Sequence, residues 1–229
     1  DRFYVKQFEA DTNANFSVLL DISRSMVFGS QSVTKLDYGR YLAACLSYFS
    51  TKQRDRVGLV TFDSELVERV PPSAKHLEVV LHTLDQIEAG RPGDLTQPLF
   101  LMTEFFKRRS IIAIISDFYE EPEAIVNAIK PLRYAGNDVI AFHVLDPAEI
   151  DFPYDDAVSF QDLETGRKMP VVPEKLREQY RQLIREHTAK ISKLCSQNRI
   201  DYALFNTATP LDYALFKFLA AREKLSRVR

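Results

Sequence analysis

The chain has 229 residues, 45% of them hydrophobic and 27% charged, with a formal net charge of -2. That length suits one large domain or two small ones and can bury a core without staples. The near-neutral balance gives no reason to expect a nucleic-acid partner, which usually shows as a basic face, and no apolar run nears the roughly 20 residues that cross a bilayer.

Strand-like apolar runs alternate with helical periods along the chain. Phe16 to Leu20 is a short apolar run ending at Asp21, and Arg56 to Phe62 is a second. Ser110 to Ile115 runs into Ser116 and Asp117, Asp138 to Leu145 follows, and Ile200 to Phe205 is the fifth. Continuous Val/Ile/Leu runs, rather than strict alternation, predict strands covered on both faces. Between them, Leu36, Tyr38, Leu42, Cys45, Leu46 and Phe49 recur at helix spacing, as do Leu77, Val80, Leu81, Leu84 and Ile87. Leu99, Met102 and Phe106 form a shorter stripe, and Ala124, Ile125, Ala128, Ile129 and Leu132 another, with Gly136 placed to end it. Leu176 to Leu194 and Leu211 to Leu219 give the last two helices.

This rhythm predicts an α/β fold: a doubly wound, mostly parallel sheet with helices on both faces, Rossmann-like in layout. The whole of 1–229 reads as a single domain. Asp146 to Pro173, with Pro147, Pro153, Pro170 and Pro173, reads as an irregular excursion within it. Cys45 and Cys195 each sit in a helical pattern, so they read as reduced, buried thiols of a cytoplasmic protein, with one long-range disulfide as the alternative.

The segment that carries chemistry is Asp21-Ile-Ser-Arg-Ser-Met26, directly after the first strand. It falls at the carboxyl edge of the predicted sheet, where open α/β folds bind ligands. Asp21, Ser23 and Ser25 lie two residues apart, a spacing that lets an extended loop point one carboxylate and two hydroxyls at one spot. Such a hard oxygen set suits Mg²⁺, with Mn²⁺ or Ca²⁺ as alternatives; Mg²⁺ takes about six oxygens and keeps several waters. Asp117, at the end of another buried strand, projects at the same edge and supplies a second carboxylate.

Asp21-x-Ser23-x-Ser25 with Asp117 resembles the metal-ion-dependent adhesion site of von Willebrand factor A domains. DRFYVKQFE, LLDISRSM, KLDYGRYLAA, DRVGLVTF, ISDFYEEPE, HVLDPAEIDFPY, FQDLETG and PLDYALFKFLAAR together resemble the bacterial domain-of-unknown-function-58 family. That resemblance implies a metal-dependent protein-binding module in which a partner's acidic side chain completes the coordination. It also implies a MoxR-type AAA+ ATPase, or a client of one, as the partner, acting in protein assembly or metal-centre maturation. Residues 1–12 then read as the remnant of an upstream segment, and Asp1 as a boundary within a longer protein. The adhesion site uses a further threonine, in a pattern near Gly-x-Thr-Asp-Leu. Here the stretch is Arg91-Pro-Gly-Asp-Leu-Thr-Gln-Pro-Leu99, which puts Gly93 in the threonine slot and leaves Thr96 or Asp94 to supply the missing oxygen.

Other signals have structural readings. Asp63 reads as a turn residue in Phe62-Asp-Ser-Glu65, with an outer-shell role as the alternative. Met26 and Phe28 read as packing. His76, His82, His143 and His187 show no metal spacing. Lys107, Arg108 and Arg109 read as a solvated helix end. Glu120, Glu121 and Glu123 read as an acidic helix start favoured by the dipole, with a part in setting the field around the metal, beside Asp117, as the alternative. Ser25 lacks the Gly-x-Ser-x-Gly elbow of a hydrolase, no phosphate loop is present, and no catalytic residues are assigned. Two alternatives to the binding module stand: a metal-assisted hydrolase, and a structural scaffold whose site has degenerated at Gly93.

Overall fold

The computed structural model describes residues 13–106, 109–155, 158–161, 168–171 and 173–227. The expected segment 1–12, Lys107 and Arg108, and parts of the 146–173 excursion lie outside the described residues. Among the described residues eight strands are seen: β1 (Asn15–Asp21), β2 (Arg56–Phe62), β3 (Leu66–Ser73), β4 (Ser110–Ser116), β5 (Asp138–Leu145), β6 (Val158–Gln161), β7 (Lys168–Val171) and β8 (Asp201–Asn206). The helices are α1 (Lys35–Lys52), α2 (Leu77–Gln86), α3 (Thr96–Met102), α4 (Pro122–Tyr134), α5 (Pro147–Asp151), α6 (Pro173–Gln197) and α7 (Leu211–Arg227), with a 3-10 turn at Arg24–Val27.

Six strands form one sheet in the order β3-β2-β1-β4-β5-β8. All neighbours are parallel except β3, which runs antiparallel to β2. This is the α/β doubly wound layout expected from the pattern. The side-chain alternation of β1 divides the core: Val18 and Leu20 pack with Leu36, Leu42, Val80 and Leu215 on one face. Leu19 packs with Leu99, Met102, Ile112, Ile114, Ile129 and Ile191 on the other. Helices α1, α2 and α7 therefore cover one face, and α3, α4 and α6 the other. Each fully buried Leu or Ile in these layers contributes about 1.5–3 kcal/mol by leaving water.

Two features go beyond the sequence pattern. Strand β3 carries Pro71 and Pro72 at the sheet's edge, where a missing N–H costs no ladder bond. The stretch expected to be irregular holds helix α5 and the antiparallel pair β6–β7. Gly136 follows α4 with φ at +90°, the left-handed terminator its position predicted. Both cysteines are free thiols; Cys195 is buried as expected, whereas Cys45 is partly exposed. Among the described residues no helix is long and apolar enough to cross a membrane.

Candidate functional site

The carboxyl ends of β1, β2, β4 and β5 finish in Asp21, Asp63, Ser116–Asp117 and Asp146, and all five side chains are buried. Polar residues gather there because parallel strands release their chains at one edge, where following loops replace the ladder. Asp21 is 6% exposed. Its Oδ1 accepts the Ser23 N–H at 2.8 Å, which turns the chain sharply after β1. Its Oδ2 accepts the Ser116 hydroxyl at 2.6 Å, joining the ends of β1 and β4. Ser23 Oγ and Ser25 Oγ lie 3.1 Å apart across the 3-10 turn. Asp21, Ser23 and Ser25 thus share one spot, and Asp117 stands on the adjacent strand end at the same edge.

Asp21 has a pKa pushed up to about 7 from its ordinary 3.8, first by burial and then by the negative charge of Asp117; hydrogen bonds from Ser116 and Ser23 offset part of this. Among the described residues no Lys, Arg or His forms an ion pair with it. A buried carboxylate without a counter-charge, beside two hydroxyls, is a donor set that fits a hard divalent cation. Among the described residues no cluster of three His, Cys, Asp or Glu side chains has metal-binding geometry, so such a cation would depend on hydroxyls and water.

Asp117 is engaged differently. Its Oδ2 accepts from Lys35 Nζ at 2.7 Å, and the same ammonium donates to Glu149 Oε1 at 2.7 Å. The Lys35 side chain is 0% exposed. It starts α1 behind a capping box in which Thr34 Oγ1 accepts the Asp37 N–H and Asp37 accepts the Thr34 N–H. Glu149 is fixed by a second box, its Oε2 accepting the Asp146 N–H at the start of α5. After Asp117, Phe118 is fully buried with φ at +45°, a left-handed conformation that a bulky residue adopts only under constraint. Its carbonyl accepts from His187 Nε2 at 2.7 Å.

The third loop is tied to the first by its backbone. Gly90 N–H donates to Ile22 O at 2.6 Å, and Arg24 N–H donates to Arg91 O at 3.1 Å. A Cβ on Gly93 would fall 2.7 Å from Ser23 Cβ and 3.1 Å from its Oγ. Gly93 therefore does sit beside the serine hydroxyl, as its alignment with the threonine slot implies, and a side chain there would displace Ser23. Asp94 and Thr96 are exposed, and Asp94 Oδ1 accepts the Thr96 N–H at 2.9 Å where α3 begins. Asp63 combines its turn role with another. Oδ1 accepts the Glu65 N–H at 2.9 Å, while Oδ2 accepts the Arg91 N–H at 3.0 Å and so anchors the Gly93 loop. Glu120 holds the same loop's far end through the Leu95 N–H at 3.0 Å.

A family model described as "Protein of unknown function DUF58" matches residues 1–190. The chain belongs to the DUF58 family. The uncharacterized protein Rv1480 of Mycobacterium tuberculosis is 29% identical over 199 residues, which cover 83% of this chain and 61% of the relative. This DUF58 chain thus spans about three fifths of that relative's length. Among solved structures, an aerotolerance-related membrane protein from Bacteroides fragilis aligns with a TM-score of 0.64 at 15% identity, covering 93% of this chain and 99% of the other. BatB from Bacteroides thetaiotaomicron aligns at 0.61 and 18%, covering 92% and 99%. The SpRpn10 VWA domain aligns at 0.52 and 9%, covering 91% and 94%. The DUF58 chain has the von Willebrand A-like fold.

Lys35 and Glu149 escaped the sequence reading of this DUF58 chain, Ser116 was read only as a strand end, and Glu120, read as a helix start, precedes α4 and holds the Leu95 N–H instead. A lysine at a helix start reads as solvated, since lysine is almost never fully buried unless paired. Its partners lie 82 and 114 residues away. One local signal was available: Asp146-Pro-Ala-Glu149 has the spacing of a capping box at a strand end, which fixes where Glu149 points.

Proposed function

We propose that this chain is a protein-binding module whose docking centre is a divalent-cation site on Asp21, Ser23 and Ser25, with Asp117 beside it. One observation carries the reading: Asp21 is a buried carboxylate with no ion-pair partner among the described residues, flanked by two hydroxyls 3.1 Å apart. Mg²⁺ is the proposed ion, with Mn²⁺ or Ca²⁺ able to take the same oxygens. When bound, it would serve as a Lewis-acidic anchor for a carboxylate from the partner. The chain's own contribution is to orient the donors, through the Ser23 N–H and Ser116 hydroxyl on Asp21, and to hold the Gly93 loop against Ser23 through Asp63. A MoxR-type AAA+ ATPase or a client of one is the proposed partner, and the cytoplasm the proposed compartment.

The test is calorimetric titration of Mg²⁺ and Mn²⁺ into wild type and Asp21→Ala, paired with capture of a co-expressed MoxR-type ATPase with and without EDTA. Binding that needs both the ion and Asp21 supports the reading. Equal capture by both proteins in EDTA refutes it. The close approach of Gly93 to Ser23 favours a second reading, a scaffold that binds partners without an ion. Under that reading capture persists in EDTA while neither protein gives heat with either cation.

A further inference from the structure

The docking reading leaves Lys35 without a part, yet the fold buries its charge completely, at a cost in desolvation. Its ammonium is fully buried at the first position of α1, where the helix dipole disfavours a cation. Burial works against its charged form; Asp117 and Glu149 overcome that and hold it protonated. The rings of Tyr119 and Phe28 complete the enclosure, their centroids 4.7 and 5.9 Å from Nζ. A fold that needed only filling here would do as well with an apolar side chain of similar volume, because a buried ion pair rarely outperforms one. The charge has a purpose that volume does not supply.

That purpose lies in the neighbourhood. Asp117 directly follows Ser116, whose hydroxyl donates to Asp21 Oδ2 at 2.6 Å, so any cation on Asp21 feels the Asp117 charge as well. Lys35 already occupies Asp117 Oδ2. Lys35 pairs with Asp117 and Glu149 and not with Asp21, whose charge is left for a divalent cation to balance. We infer that Lys35 is a tethered counter-cation that competes with the bound metal for Asp117, keeping Asp117 out of the metal's inner shell and holding the site's cation affinity low until a partner's carboxylate joins. This inference rests on the divalent-cation reading of the Asp21 loop.

The experiment is calorimetric titration of Mn²⁺ into wild type, Lys35→Arg, Lys35→Met and Glu149→Gln, with thermal melts of each protein in EDTA and in Mn²⁺. Removing one positive charge beside the ion tightens Mn²⁺ binding in Lys35→Met on the order of tenfold or more. Lys35→Arg keeps the charge and stays near wild type. Glu149→Gln removes a negative charge, leaves Lys35 to Asp117 alone, and binds Mn²⁺ more weakly. Should Lys35→Met be unfolded in EDTA, recovery of a cooperative melt in Mn²⁺ supports the inference. If it stays unfolded, Glu149→Gln decides: an affinity equal to or above wild type overturns the inference. Wild type binding Mn²⁺ while a folded Lys35→Met binds it equally or less overturns the inference and leaves the metal site standing. Absence of Mn²⁺ binding by all four proteins rejects the metal site itself.

Discussion

Asp21→Asn should make the metal-free protein more stable at alkaline pH, although it damages the site. A carboxyl whose pKa moves from 3.8 to about 7 on folding gives up roughly 4 kcal/mol when it ionises inside the protein. The sign follows from linkage. A raised pKa means that the fold binds a proton which the unfolded chain has released, so this contribution is intact below pH 3.8 and is lost as pH rises through about 7. Asparagine carries no charge at any of these pH values and removes that loss. It also perturbs the hydrogen bonds from Ser23 N–H and Ser116 Oγ, since one of its two oxygens becomes a donor. One oxygen is kept as an acceptor, so about 1 kcal/mol is lost for one impaired bond and the net gain at pH 8 is about 3 kcal/mol. The assay is urea unfolding in EDTA at pH 5 and pH 8, followed by circular dichroism. The variant should exceed wild type at pH 8 and fall level with it or below at pH 5, and Mg²⁺ should stabilise wild type only. An Asn variant less stable than wild type at pH 8 in EDTA would show that the Asp21 carboxylate is satisfied by the protein alone, and the reasoning would fail.

Two further outcomes follow from the same edge of the sheet. His143 is buried, with a pKa lowered from 6.5 to about 3, chiefly by burial and then by repulsion from His187, so the stability it contributes is present above pH 6.5 and lost as pH falls towards 3. His143→Phe should therefore lose less stability than wild type between pH 6.5 and 4.5, by about 1 kcal/mol per pH unit in denaturant melts; parallel pH profiles would contradict this. Asp63→Ala removes the acceptor for both Glu65 N–H and Arg91 N–H, and should cost about 1–3 kcal/mol of stability. It should also speed hydrogen exchange at Gly90 and Arg91 selectively, and protection unchanged at both amides would remove its role as the loop's anchor.

Much of the fold was legible because its signals are local. Continuous apolar runs marked β1, β2, β4, β5 and β8 to within a residue or so, since strands covered on both faces favour such runs; β8, at the sheet's edge, is only partly buried and departs from that expectation. The periods of α1, α2, α4, α6 and α7 were equally plain. Strand β3 was not, because an edge strand with two prolines and a half-exposed face lacks both signatures. The β6–β7 pair was hidden by four-residue strands among prolines. At the site, Asp21, Ser23 and Ser25 were legible as a cluster because they are two residues apart after a strand. Asp117 followed from its own strand end. The place of Gly93 came from the resemblance, and the contact with Ser23 gives it a physical meaning.

The sequence by itself determined which segments form the parallel strands, that their carboxyl ends share one edge, and that a carboxylate and two hydroxyls leave β1 together. These follow from hydrophobic periodicity and short-range geometry, both written in consecutive residues. Only the tertiary structure decided the electrostatics of that edge. Among the described residues Asp21 is left without a counter-charge while Asp117 receives Lys35, from 82 residues away, and Glu149 joins through a helix cap after another strand. Burial and distance set the strength of charge interactions, and neither is a property of a residue's place in the chain.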